Sequence, residues 1–181
     1  MLDVPSEIGK TLLSTKVIGV DDDIPKFVDK AEFMVTVGFI KNPSLRIALY
    51  ERVKKEGGVM ANVIASTAHV SRYAKMGGGI SILHKAVVNA GATIGNNVIL
   101  NTSAVIEHDA VVGDHTHIST GAIVNGEGKV GKRCFIGSQT VIANCVNICD
   151  DVIIGAGSVV VKDIVKPGVY VGCPVKFIGP P

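Results

Sequence analysis

The chain has 181 residues, with 18 Lys and Arg against 16 Asp and Glu, a net charge of +2, and 4% aromatic residues without a Trp. That length suits one domain or a domain with a small appendage, and excludes a peptide hormone and a large multidomain enzyme. The near-balanced charge has no basic block of the kind that tracks a phosphate backbone, so no nucleic acid is expected as a partner. Mean hydropathy is +0.41, yet no apolar run reaches membrane-span length. The N-terminus also lacks a basic start followed by an apolar stretch, and the reading is a cytoplasmic protein without membrane insertion. Val and Ile number 28 and 20, and their β-branched side chains favour strands over helices.

Residues 1–60 read as a small α/β unit. Val17-Ile18-Gly19 followed by Asp21-Asp22-Asp23 predicts a short strand and a helix start near Ile24-Pro25. Phe33-Met34-Val35-Thr36-Val37-Gly38 predicts a buried strand. Asn42-Pro43 supplies an N-cap and a first helical position for a helix that runs to about Glu56 and stops at Gly57. Leu45, Leu49 and Val53 would be its buried face. Val59 to Val63 predicts the last strand of the unit.

Residues 61–166 follow one rule. Stepping by six from Ile64 to Val160 meets Ile, Val, Leu or Met at all seventeen positions. A second column, four residues after each aliphatic, runs from Ala68 to Ile164 and is small or apolar throughout. A period of six fits neither the 3.6 of a helix nor a hairpin array. It fits short strands joined by tight turns, three hexapeptides to a triangular coil, and so a parallel β-helix. Gly, Asn and Asp gather just after the aliphatic, as in Ile94-Gly95-Asn96-Asn97 and Val112-Gly113-Asp114, where left-handed backbone angles are expected. A little under six coils, stacked at about 4.8 Å, give a prism of roughly 27 Å. Residues 167–181 form a C-terminal tail.

Cys134, Cys145, Cys149 and Cys173 have no CxxC spacing and no paired histidine run, so the expectation is packed, reduced thiols and no metal site. The histidines are His69, His84, His108, His115 and His117. His108 falls at a turn outside the prism with Glu107 and Asp109 on either side. A carboxylate bonded to one imidazole nitrogen fixes the tautomer and raises the basicity of the other, which suits a general base near neutral pH. Asp109 can also be read as a turn-capping carboxylate, Gly126 as a turn glycine, and His115 as a solvated turn residue.

The six-residue pattern resembles the hexapeptide-repeat family of left-handed parallel β-helices, and that resemblance supplies the hand, against the usual right-handed crossover. The γ-class carbonic anhydrases share such a solenoid but bind zinc through histidines spaced differently from His115-x-His117. The segment Asn101 to Asp109, then His117, Asn125-Gly126 and the tail Gly168-Val-Tyr-Val-Gly172-Cys-Pro174-Val-Lys176 resemble sugar acetyltransferases of the sialic acid O-acetyltransferase and bacillosamine N-acetyltransferase type. The likeness spans essentially the whole chain, including Val37-Gly38 and Arg46. It implies an acetyl-CoA-dependent transfer, with no metal, to an amine or hydroxyl of a bacterial surface sugar, within polysaccharide biosynthesis. It implies His108 as general base, Asp109 as its orienting carboxylate, and Gly126 near the acetyl carbonyl. Contacts to acetyl-CoA fall on His117, Ser138 and Ala156. Asp3, Gly38, Asn101 and Glu107 fall on the sugar-acceptor side.

Two departures stand out. The family opens with a strand and a Gly-rich turn of the GAGGHG kind that binds a nucleotide, and this sequence begins beyond it. Of a paired Asp in the next strand only Asp3 is present. The nucleotide site is therefore expected to be missing, rebuilt, or lost to a wrongly chosen start codon. The tail reads Gly-Cys-Pro-Val-Lys where Gly-Val-Pro-Ala-Lys is common.

His108 and Gly126 differ by 18 and should stack on one corner of the prism, and Ser138 and Ala156 on another. Corners lie about six residues, roughly 20 Å, apart. The expectation is a site between protomers of a homotrimer, as is usual in the family. Two alternatives remain. One is an acyl-carrier-protein-dependent transferase, docking through Lys162, Lys166 and Lys176. The other is a non-catalytic hexapeptide scaffold.

Overall fold

A computed structural model describes all 181 residues. From Val63 onward the chain winds as a left-handed parallel β-helix of about six coils, each passing through three sheets. Sheet I carries the rungs Val63–Ile64, Ser81–Ile82, Ile99–Leu100, His117–Ile118, Phe135–Ile136 and Val152–Ile154. Sheet II runs from His69–Val70 through Val105–Ile106 to Val159–Val160, and sheet III from Lys75–Met76 through Val111–Val112 to Asn147–Ile148. Every rung pairs in parallel with the rung 18 residues away, as Val105 with Val87 and Ile123. The predicted period is the observed register.

The aliphatic column points inward. Ile82, Val88, Leu100, Ile106, Ile118, Val124, Ile136, Ile142, Ile154 and Val160 have no exposed surface, and the small column beside them closes the corners. Together they belong to one cluster of 25 buried residues. Each fully buried Ile or Val stabilises the coil by about 1.5–3 kcal/mol.

The turns depart from expectation in an instructive way. The left-handed backbone angle falls on the third residue after each aliphatic from Met76 to Ile154, and Lys85, Ser103, His115, Glu127, Arg133 and Gln139 adopt it alongside glycines. The glycines directly after the aliphatic answer a different need. A Cβ on Gly113 would sit 2.7 Å from the backbone of Gly131, and one on Gly137 2.6 Å from that of Ala156. They are glycine because consecutive coils touch there.

The tail extends the prism. Gly168–Val171 adds to sheet I in parallel beside Val152–Ile154, and Lys176–Gly179 returns antiparallel to it. The Cys173-Pro174 peptide between them is cis. No helix is long and apolar enough to cross a membrane.

Residues 1–60 pack on sheet I and on the corner between sheets III and I. The helix α1 spans Ser44–Lys55. Asn42 Oδ1 accepts the Ser44 N–H at 2.8 Å, and Gly57 ends the helix at φ +83°. Its buried residues are Arg46, Tyr50 and Val53 rather than Leu45, Leu49 and Val53. The predicted face instead lines an apolar cavity of about 430 Å³, shared with Leu2, Phe33 and Val35. The predicted helix start near Ile24 is a 3₁₀ turn, Asp21–Lys26, and the strand at Val17–Gly19 is reduced to one bridge from Gly19 to Leu2. The predicted strand Phe33–Gly38 also fails to form, since only Phe33 pairs, with Met60. Arg46 is the reason: its Nη1 donates to the carbonyls of Val35 at 2.6 Å and Val37 at 2.9 Å, acceptors a neighbouring strand would have used.

Candidate functional site

His108 sits on the turn between sheets II and III. Its Nδ1–H donates to Asp109 Oδ2 at 3.0 Å, which leaves Nε2 as a free acceptor facing solvent, with 58% of the side chain exposed. Asp109 adopts the left-handed angle, φ +59°, and its carboxylate bonds the ring and caps no backbone N–H. Two glycines, one coil away on either side, make room for the pair. A Cβ on Gly126 would lie 2.6 Å from His108 Nε2 and 2.7 Å from Cε1, and a Cβ on Gly91 would overlap Asp109 Oδ1. Gly126 has no left-handed angle, so the turn does not require it; the imidazole does. Its N–H makes no hydrogen bond within the protomer. Glu107, in the same turn, accepts from Asn89 Nδ2 at 2.7 Å. Gly91 and Asn89 escaped the sequence reading, although subtracting 18 from Asp109 and Glu107 finds both.

The corner between sheets I and II holds a different set. His117 projects outward from sheet I, yet the residues before α1 cover it and leave it 8% exposed. Its Nδ1–H donates to the Phe39 carbonyl at 3.0 Å, and its Nε2 accepts from Asn101 Nδ2 at 3.3 Å. Phe39 and Phe135 meet the ring edge-on at 5.7 and 5.2 Å. Burial holds His117 below the usual histidine range, against the hydrogen bond to the Phe39 carbonyl and with the nearby Arg46 charge adding to it. Ser138 Oγ lies 3.0 Å from Ser119 Oγ, and Ala156 stands exposed one coil further on. Gly38, beside Phe39, faces open space.

The predicted residues therefore form separate groups. His108, Asp109, Gly126 and Glu107 share the II/III corner; Asn101, His117, Ser138 and Ala156 share the I/II corner, with Gly38 close by. Asp3 lies apart, at the apolar cavity of residues 1–60, where its Oδ1 accepts the Val4 N–H at 2.7 Å.

Sheet II is the wall between the two corners. Beyond His69 on the first rung, its outward residues are Val87, Val105, Ile123, Val141 and Val159, an apolar ladder left half-exposed. Sheet III presents Lys75, Thr93, Val111, Lys129 and Asn147 instead.

His115 is half-buried rather than fully solvated. It stands edge-on to Tyr50 at 5.5 Å, and its Nδ1 accepts from Asn97 Nδ2 at 3.0 Å. Arg46 is 1% exposed and faces no carboxylate, and burial pulls its guanidinium down to about 10. Among the cysteines, Cys134 is buried and its thiol is pushed up to about 12, but Cys145 and Cys173 are exposed rather than packed, because they fall at a turn and in the tail. No three His, Cys, Asp or Glu side chains converge to hold a metal ion.

No protein-family model and no curated protein matches the sequence. Solved structures do. PerB from Caulobacter crescentus, in complex with CoA and GDP-perosamine, is 30% identical with a TM-score of 0.87, the match covering 93% of this chain and 81% of that one. A variant of perosamine N-acetyltransferase from the same organism, with the same two ligands, is 29% identical with a TM-score of 0.88, over 94% of this chain and 80% of that one. The acetyltransferase domain of PglB from Neisseria gonorrhoeae, in complex with acetyl coenzyme A, is 29% identical with a TM-score of 0.91, over 98% and 84%.

Proposed function

This chain belongs to the hexapeptide-repeat sugar acetyltransferases, and from that premise we propose that it transfers acetyl from acetyl-CoA to an amine or hydroxyl of a nucleotide-linked sugar, directly, in sites shared between protomers of a homotrimer. The observation that carries the reading is the His108–Asp109 pair, held at 3.0 Å with one ring nitrogen free over a glycine. Nε2 takes the proton of the acceptor as its nitrogen or oxygen attacks the thioester carbonyl. The Gly126 N–H, which has no partner within the protomer, donates to the oxygen that gains charge. Collapse breaks the C–S bond, and the thiolate of CoA receives the proton from the imidazolium.

Sheet II supports the shared site. An apolar ladder open to water favours burial against another copy. Three copies packed through sheet II about a threefold axis bring the II/III corner of one against the I/II corner of the next. His108 and Gly126 then face Ser138 and Ala156 across the interface, and a thioester need not span one prism. The residues before α1, with Gly38 and Phe39 over sheet I, cover the acceptor side. Acetyl-CoA and nucleotide sugars are cytoplasmic substrates, which agrees with the localisation read from the sequence.

Mixing two inactive variants tests this. His108→Ala spoils one corner and Ala156→Trp the other, so each alone should release almost no thiol from acetyl-CoA. Reassembled at equal amounts, about a quarter of the interfaces join two intact corners, and up to that share of wild-type activity should return. Wild-type turnover without recovery in the mixture would place the site within one protomer. A wild-type protein that releases no thiol with amino- or hydroxy-sugars, nucleotide-linked or free, would remove the transferase reading itself.

A further inference from the structure

The column that carries His108 continues. Asn144 stands 18 residues after Gly126 and occupies the same turn position one coil on, exposed at the II/III corner. The chain has nine asparagines, and eight of them use their side chains in hydrogen bonds within the protomer. Asn62 and Asn96, for example, accept the N–H groups of Ile80 and Gly78 one coil later or earlier, at 2.9 and 3.0 Å. Asn144 bonds nothing. Its amide leans back over Gly126 instead: the point that a Gly126 Cβ would fill lies 3.3 Å from Asn144 Nδ2 and 2.6 Å from His108 Nε2. One point over a bare glycine thus has both a proton acceptor and an uncommitted amide within reach.

That is the arrangement an acyl transfer requires, with a base and an oxyanion donor converging on one point. From it we infer that Asn144 is a catalytic residue, its Nδ2–H donating to the thioester carbonyl oxygen beside the Gly126 N–H; the inference rests on the transferase reading above. As the acceptor bonds to the carbonyl carbon, the π pair moves onto oxygen and the acceptor proton onto His108 Nε2. When the C–S bond breaks, that pair re-forms the carbonyl, and sulfur leaves with the bonding electrons and takes the proton. Asn144 stays protonated throughout and supplies only the donor. An amide without a competing partner gives up no existing bond to do so, and this is why its isolation within the protomer matters.

Steady-state thiol release with Asn144→Ala and Asn144→Asp, beside wild type, tests the inference. Loss of one oxyanion donor in other enzymes lowers kcat by about 10²–10³. At a site where Gly126 offers a second donor, Asn144→Ala should lower kcat by roughly 10- to 100-fold with KM for acetyl-CoA within about threefold. Asn144→Asp should lose at least as much, since a carboxylate repels the developing charge, and circular dichroism should stay that of the wild type in both. Asn144→Ala with kcat within twofold of wild type, or with only a raised KM, overturns the inference and leaves the transferase standing. No thiol release by wild type overturns both.

Discussion

At one corner of the prism the ring of His108 stands in solvent, with one nitrogen on Asp109 and the other free; at the next, His117 is buried with both nitrogens engaged. The two residues are nine positions apart in sequence and ride on the same repeating template. The template decides only which way a side chain points. What packs over it decides the rest: nothing in the protomer covers the II/III corner, while Phe39 seals the face that holds His117. An exposed histidine with a free ring nitrogen and a buried one with both nitrogens engaged are thus made by the same repeat, and the cover of residues 1–60 makes the difference.

Removing each histidine should give opposite results. His108→Ala should lower kcat by about 10²–10⁴ and leave the melting temperature nearly unchanged, because an exposed ring is lost. Next in size is Gly91→Ala, which pushes the Asp109 carboxylate off its place. Thiol release should fall roughly tenfold, and adding Asp109→Ala should cost little more, the non-additivity expected of residues that act through one contact. Independent, additive losses would mean Gly91 serves only the turn. His117→Ala should act on stability, by about 2–4 kcal/mol, from the cavity between two aromatic rings and the unpaired Phe39 carbonyl. For a chain of this size that corresponds to a fall in Tm of roughly 5–12 °C.

The smallest effect is that of pH. Burial is the first cause that holds both His115 and His117 below the usual histidine range. The unfolded chain takes up these protons as pH falls through about 6.5, while the folded protein takes them up only at lower pH. The unfolded state then binds more protons, so stability is lost on acidification through that point. Tm should drop by a few degrees between about pH 7.5 and 5.5, and His117→Gln should flatten the slope.

The prism could be read from sequence because its physics is repetitive: a hydrophobic side chain every six residues leaves no other way to bury them all. The corner pairing of His108 with Gly126, and of Ser138 with Ala156, followed from the same count. Residues 1–60 could not be read so, because single long-range contacts decide them. Val35 and Val37 look like a strand until the Arg46 guanidinium claims their carbonyls, and no local pattern announces that. His115 looked solvated because Tyr50, which covers it, lies 65 positions away. The left-handed angle at the third turn position was hidden by the tolerance of that position for almost any residue, whereas the neighbouring glycines advertised a demand that came from coil-to-coil contact.

The constant spacing of 18 residues between paired rungs also sets an order of assembly. For a chain of 181 residues it amounts to a relative contact order on the order of 0.1, low for a protein made of sheets. Each new coil needs only the one before it, so the prism can lengthen by repeated short-range steps. Docking of residues 1–60 is different, since Arg46 must find Asn97, 51 positions on, and Phe39 must find His117, 78 positions on. Residues 1–60 thus have no surface to settle on until the coils that carry Asn97 and His117 have formed.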